Sequence, residues 1–315
     1  MNKLSPEHLF VPSQENVCAI LARYNLPLTR FLPTTHGIEN LTLLVWSQRK
    51  KHVLRVYPQQ KKSDADILLE LDFMAHLRNH GLPLPAIISS SDHQPLVVCE
   101  LDQQKWQCVL MEHAQGAHPG AFTPALLDQM ATLQAQMHTL GKQYAQTHNI
   151  KSGRAVLRET SVTDELLKNS ILESSLRNFL GRVKAFVVKL HDSLPKGLSH
   201  FDFDIENILT KHDGVTAILD FGDMECMPLI VCLGYTLWDV LFEKGGSPEM
   251  VTRYVQTYQG VRQLNQSEQE ILREIMLFRH YVITTVEIHF GNFSQNDLDK
   301  ALQREEDLRN FELRF

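Results

Sequence analysis

The sequence predicts an α+β protein in which a small sheet-rich part with one helix precedes a larger, mostly helical part. Three features point there. Residues 41–57 and 94–113 each hold two apolar, β-prone runs separated by a short polar step, the mark of hairpins. From Thr123 onward, apolar residues recur at helical rather than alternating spacing. Between the two, "MEHAQGAHPG" (111–120) breaks both patterns and carries Gly116 and Gly120. The expected organisation is an N-terminal lobe over residues 1–111, a hinge over 112–120 and a C-terminal lobe over 121–315.

The elements follow in order. "LTLLVWSQ" (41–48) and "KHVLRVY" (51–57) form the first hairpin, with Arg49-Lys50 at its polar step. "DADILLELDFMAHLRNHG" (64–81) places Ile67, Leu68, Leu71, Met74 and Leu77 on a helical stripe that Gly81 closes, and "LPLP" ends it. "QPLVVCELD" and "KWQCVLMEH" form the second hairpin, turning at Gln103-Gln104. Thr123 is a good N-cap, with Pro124 at the first helical position. Leu126, Leu127, Met130, Leu133, Met137 and Leu140 make one face, and Gly141 is the expected stop. Further helix is expected in 162–193, a β-prone segment over 199–221, and closing helices over 267–290 and 295–311.

Whole-chain properties narrow the function. A net charge of −6 lacks the basic face that general nucleic-acid binding needs. Trp46, Trp106 and Trp238 are scattered and make no stacking platform. The start has no apolar signal region, and "PLIVCLGYTLW" is too short and interrupted to span a bilayer. Five cysteines without a C-x-x-C pair read as free thiols. The expectation is a cytoplasmic protein with no nucleic-acid or membrane partner; the sequence specifies no oligomeric state.

Chemistry concentrates in "SHFDFDIENIL" (199–209) and "ILDFGD" (218–223). "NILT" and "TAILDF" are apolar runs separated by "KHDG", where Asp213-Gly214 signals a turn. A hairpin there gathers Asp202, Asn207 and Asp220 at one end. Two carboxylates and an amide carbonyl suit a hard cation such as Mg²⁺, which keeps waters and binds substrate phosphates. A remaining carboxylate can receive a hydroxyl proton. Phosphoryl transfer needs that set, since the protein mainly positions groups and neutralises charge.

"HFDFDIEN" resembles the H-x-D-x-x-x-x-N catalytic loop, and "DFGD" the metal-binding D-F-G, of the protein-kinase-like phosphotransferases. The Asp after D-F-G is nearer the small-molecule branch: aminoglycoside phosphotransferases, choline and ethanolamine kinases, and kinase-like homoserine kinases. That family usually has Gly or Ala between the His and the Asp, where this chain has Phe201. "VLRV" (53–56) is similar to the strand bearing the phosphate-binding cation, here Arg55 instead of Lys. "LLELDFMAHL" (68–77) is similar to the helix whose Glu, here Glu70, pairs with it. "VLMEHAQG" (109–116) resembles the linker whose backbone contacts adenine, near Glu112 and Ala114. "THGIENL" (35–41), with Gly37, stands at the phosphate-loop position. The resemblance spans about residues 30–225; beyond it the chain matches only in being helical.

The resemblance implies a protein-kinase-like two-lobe fold and an ATP- and Mg²⁺-dependent transfer to a small-molecule hydroxyl acceptor. In it Asp202 orients the hydroxyl, Asn207 and Asp220 hold the metal, and Arg55, fixed by Glu70, aligns the phosphates. His200, Asp204 and Asp223 are structural or substrate-binding. Asp204, Glu206, Asp223, Glu225, Asp239 and Glu243 make an acidic set that favours a cationic or amino-bearing acceptor: homoserine, an amino alcohol or an amino sugar. The alternatives are an aminoglycoside-type antibiotic phosphotransferase, a nucleotide-binding pseudokinase without turnover, and a metal-dependent phosphohydrolase.

Overall fold

A computed structural model describes residues 12–34, 41–57, 62–101, 104–151, 161–169, 172–291 and 293–315. The described residues form two compact units. One runs up to Ala117 and includes Thr216–Leu219; the other comprises His118–Val215 and Asp220–Phe315.

The first unit is an antiparallel sheet with two helices. Helix α1 (Gln14–Ala22) is followed by β1 (Arg30–Pro33), β2 (Leu41–Ser47), β3 (Lys50–Tyr57), α2 (Asp64–Asn79), β4 (Ile87–Ile88), β5 (Val97–Leu101) and β6 (Gln104–Glu112). The strand order is β1-β2-β3-β6-β4, with β5 also on β6. Burial in β2 alternates strictly, so Leu41, Leu43 and Val45 point one way. They join Leu54, Val56, Trp106, Cys108 and Leu110 in a core closed by Val17, Ile20 and Leu21 of α1. The β2–β3 turn falls one residue earlier than the sequence suggests. Gln48 and Arg49 take positive φ (45° and 70°), as a tight two-residue hairpin requires, and Lys50 is already in the ladder. Helix α2 starts on a capping box between Ser63 and Asp66. The second hairpin forms, but residues 102–103 of its turn lie outside the described residues.

The second unit is helical around two small antiparallel pairs. Its elements are α3 (Pro124–Thr147), α4 (Ser161–Lys168), α5 (Ser174–Ala185), β7 (Lys196–Ser199), β8 (Ile208–Lys211), β9 (Gly214–Ile218), β10 (Glu225–Pro228), α6 (Leu229–Phe242), α7 (Pro248–Val261), α8 (Gln266–His289) and α9 (Gln295–Asn310). The last three residues of β9 belong to the first unit. Strands β7 and β10 pair, as do β8 and β9.

Thr123 caps α3 as expected, but Gly141 does not stop it. The helix continues to Thr147 because Gly141 is where β7 crosses. A Cβ on Gly197 would lie 2.6 Å from Lys142 N and 2.9 Å from Gly141 C, so backbone packs on backbone there. Helix is absent from 186–195: α5 ends at Ala185, and Phe186 is extended. Val187 and Val188 follow, β-branched residues of low helix propensity, and Pro195 closes the segment. Helix α6 is buried on all sides except at Phe242, which explains its lack of amphipathic periodicity. It packs on α8, while α3 packs on α7. Among the described residues, no helix is long and apolar enough to cross a membrane.

Candidate active site

The chemistry-bearing residues form two constellations, one in each unit. In the first, Arg55 lies on β3 and Glu70 on α2. Glu70 is buried and accepts from Arg55 Nη1 at 3.0 Å, Tyr57 Oη at 3.1 Å and Lys62 Nζ at 3.0 Å. A buried ion pair gains little net stability, because desolvation offsets its Coulomb attraction. Its use here is positional: the guanidinium is fixed. Tyr57 and Lys62 were not anticipated. Tyr57 stands two residues from Arg55 on the same strand face, and that period was the available signal. Glu112 donates its N–H to Ala86 O at 2.9 Å, and Ala114 lies just past the end of β6. Gly37 lies outside the described residues.

In the second unit, β7 and β10 run antiparallel with Ser199 opposite Glu225. The loop from His200 therefore starts beside the exit of the Asp220–Asp223 turn. Rings close this junction: His200 meets Phe221 edge-on at 4.5 Å and Phe203 at 5.9 Å, all three buried. His200 thus packs between the two motifs. The β8–β9 hairpin forms too, with His212 at φ 53° in its turn.

Within the loop, Asp204 caps a single 3₁₀ turn (Ile205–Asn207), its Oδ1 accepting the Asn207 N–H at 3.0 Å. Asn207 Nδ2 donates to the Asp202 carbonyl at 2.8 Å and to Asp202 Oδ2 at 3.1 Å. With both amide hydrogens engaged, the amide oxygen Oδ1 is the atom left for another partner. Asp220 sits at φ 58°, ψ 72°, and its Oδ1 accepts the Gly222 N–H at 3.3 Å. Asp223 is exposed in the same turn. Among the described residues, no three His, Cys, Asp or Glu side chains converge as a metal site. The candidate donors are one amide oxygen and one carboxylate. That sparse oxygen set fits Mg²⁺, which binds few protein groups and fills its octahedron with water and phosphate oxygens.

The acidic set is smaller than the sequence suggests. Glu206 pairs with Lys244 at 2.6 Å, and Glu243 with Arg304 at 3.1 Å. Asp204, Asp223, Glu225 and Asp239 remain of that set; Asp204 and Asp239 lie with Asp202 around Arg279 of α8, which stands 3.8 Å from Asp202 Oδ1 and 3.9 Å from Asp239 Oδ1. Burial, reinforced by the neighbouring Asp202 charge, pushes Asp204 up to about 7. Burial likewise pushes Asp239 up to about 8; Arg279 opposes the rise and the other acids add to it. The Arg279 guanidinium lies 4.7 Å from the Tyr235 ring, and Phe201 packs on the same ring at 5.1 Å. Arg279 was missed. The signal was a lone Arg in the apolar run "IMLFRHYV", matched by a lone Asp in "YTLWDVLF". Two concavities of this unit, of about 350 and 440 Å³, share no lining residue with the cluster.

Residues 30–270 match the phosphotransferase enzyme family. A homoserine kinase of Sinorhizobium fredii is 24% identical over 279 residues, covering 81% of this chain and 78% of that protein. One from Rhodospirillum rubrum is 23% identical over 266 residues, covering 81% and 79%. The fold is shared with amicoumacin kinase in complex with AMP-PNP, Ca²⁺ and Ami, at a TM-score of 0.72 and 14% identity, covering 95% and 94% of the two chains. It is shared also with a microcompartment-associated aminopropanol kinase, at a TM-score of 0.62 and 17% identity, covering 94% and 95%. The chain belongs to the phosphotransferase enzyme family and is an ATP-dependent small-molecule kinase with the kinase-like fold, a small antiparallel-sheet lobe and a helical lobe.

Proposed function

We propose that the protein transfers the γ-phosphate of ATP, as its Mg²⁺ complex, to the hydroxyl of a small amino-bearing metabolite. The observation that carries this reading is the hydrogen bonding between Asn207 and Asp202 in a loop packed, through His200, on the D-F-G turn. Asn207 Oδ1 and the Asp220 carboxylate would hold Mg²⁺, which would supply charge neutralisation for the phosphates. The acceptor hydroxyl, oriented by Asp202, attacks the γ-phosphorus as the bond to the β–γ bridging oxygen breaks. ADP leaves, and the hydroxyl proton passes to the Asp202 carboxylate. In the loose transition state of such transfers, that carboxylate needs no elevated basicity. Arg55, fixed by Glu70, aligns the phosphates, and backbone near Glu112 and Ala114 meets the adenine.

The amino-bearing acceptor is supported by the carboxyls of Asp202, Asp204 and Asp239 and by relatives that are homoserine kinases. The test is ADP release from Mg·ATP across amino acids, amino alcohols, sugars and aminoglycosides, with Asp202→Ala and Asp220→Ala in parallel. Each variant should stay folded and lose transfer. Near-normal turnover by folded Asp202→Ala removes the assignment.

A further inference from the structure

Two charged side chains of the second unit, Arg279 and Asp239, pair only at long range. Arg279 Nη2 stands 3.9 Å from Asp239 Oδ1 and 3.8 Å from Asp202 Oδ1, both beyond hydrogen-bond length. Arg279 Nε is buried with no partner, and the guanidinium donates to no described residue. Asp239 is 8% exposed, and its carboxyl accepts from no described residue. The Tyr235 hydroxyl beside them is also buried without a partner. Native interiors leave few polar groups unmatched, and those that remain ask for an explanation. Here a donor-rich cation and a bare carboxyl lie side by side, next to the residue assigned to orient the acceptor.

We propose that Arg279 and Asp239 are the acceptor's recognition pair, Arg279 taking a carboxylate and Asp239 an ammonium, so that the acceptor is a hydroxy-amino acid presenting its hydroxyl to Asp202. This rests on the reading of Asp202 as the orienting group. Other acceptor classes satisfy only half of the pair. An amino alcohol or amino sugar matches Asp239 but leaves Arg279 bare and is repelled by it. A hydroxy acid without an amine matches Arg279 but faces three carboxyl groups. A zwitterion completes both, and a planar guanidinium can grip a carboxylate with two parallel bonds. Burial holds Asp239 high while Arg279 is its nearest cation; an ammonium adds the charge that stabilises its ionised form. The Tyr235 ring backs the guanidinium, and Phe201 packs on that ring, so the direction of the guanidinium is fixed.

The experiment compares ADP release by the wild type, Arg279→Met and Arg279→Lys. The probes are L-homoserine, L-serine and L-threonine, then 3-aminopropan-1-ol and ethanolamine, the counterparts of the first two without the carboxylate, and kanamycin as an amino sugar. The wild type should prefer an amino acid over its decarboxylated counterpart on the order of 100-fold in kcat/KM. Arg279→Met should raise KM for that amino acid by a similar factor and erase the preference, and Arg279→Lys should restore part of it. Thermal melts establish that each variant is folded; should Arg279→Met fail to fold, the wild-type preference and Arg279→Lys still decide. Equal or better wild-type turnover of an amino alcohol or kanamycin overturns this inference and leaves the kinase reading intact. An unchanged preference in folded Arg279→Met overturns it as well. ATP binding without ADP release on any of the six overturns both.

Discussion

Replacing Gly197 with alanine tests whether the crossing of β7 over α3 positions the loop that carries Asp202. The new Cβ would meet Lys142 N at 2.6 Å, Lys142 Cα at 2.7 Å and Gly141 C at 2.9 Å. All three are backbone atoms inside a helix, so none can swing away as a side-chain tip would. Ordinary contact begins near 3.4 Å, so β7 and α3 must part by 3.4 − 2.6 = 0.8 Å. Overpacking of this kind costs roughly 1–3 kcal/mol. The same shift acts on the buried contact of Ser199 Oγ with His138 Nε2, now 3.2 Å; adding 0.8 Å gives 4.0 Å and breaks it. Stranding those buried groups adds about 1–3 kcal/mol. Gly197→Ala should therefore lose roughly 2–6 kcal/mol in urea melts and drop Tm by roughly 3–9 °C. Because His200 follows Ser199, kcat should fall roughly 10- to 100-fold even where the variant is folded. Gly181→Ala in α5 is the control: nothing lies within 4 Å of its Cβ, and the change should gain up to about 1 kcal/mol. A Gly197→Ala protein as stable and active as the wild type would refute the close-approach argument.

Other variants probe the remaining constellations. Glu70→Ala leaves Arg55 buried without its counter-charge and should cost about 3–5 kcal/mol, with Glu70→Gln between it and the wild type; equal melts for all three would dismiss the buried pair. Burial lowers His280 to about 4, so its neutral ring is favoured in the fold. The stability it contributes is complete above about 6.5 and is lost as pH falls from there through 4. At 6.5 − 4 = 2.5 units the loss is roughly 3 kcal/mol, and His280→Gln should flatten this acid limb in urea midpoints measured between pH 7 and 4.5. Phe201→Gly relieves about 1–2 kcal/mol of left-handed strain but forfeits about 0.5–1.5 kcal/mol of ring contact with Tyr235. Its melt should stay within about 1 kcal/mol of wild type while KM for the acceptor rises and KM for ATP does not; a rise confined to ATP would contradict the link from Phe201 to the acceptor.

Elements that announce themselves locally were legible in the sequence. The Thr123-Pro124 start, the stripe of 64–81 and the alternation of 41–57 each state their structure within one window. Helix α6 was not legible, because a helix buried on every side loses the periodicity that marks an amphipathic one. The false stop at Gly141 has a related cause: the same glycine serves a C-cap or a backbone crossing, and only the distant Gly197 decides which. At the site, the H-x-D-x-x-x-x-N and D-F-G spacings marked Asp202, Asn207 and Asp220. Hydrogen bonds join Asp202 to Asn207, while the approach of their loop to the D-F-G turn depends on the β7–β10 register, and "KGLS" and "ECMP" carry little strand signal of their own. Arg279 lies 77 residues beyond Asp202 (279 − 202), where no local rule could pair them.

Phe201 joins the family motif to what distinguishes this chain. Its position requires φ near 68°, where a residue without a Cβ is unstrained and an aromatic one is not. A strained backbone persists only where its surroundings hold it. Here they do: the Phe201 ring lies on Tyr235, whose ring in turn lies against the Arg279 guanidinium, and Arg279 stands between Asp202 and Asp239. The residue that departs from the motif is thus the first link of a chain of contacts ending at Arg279 and its long ion pairs, one position along the sequence from Asp202, the carboxylate proposed to orient the hydroxyl. Under the proposed acceptor site, strain at that point acts on the acceptor side of the reaction, so relaxing it should weaken acceptor binding while leaving the fold and the nucleotide largely untouched.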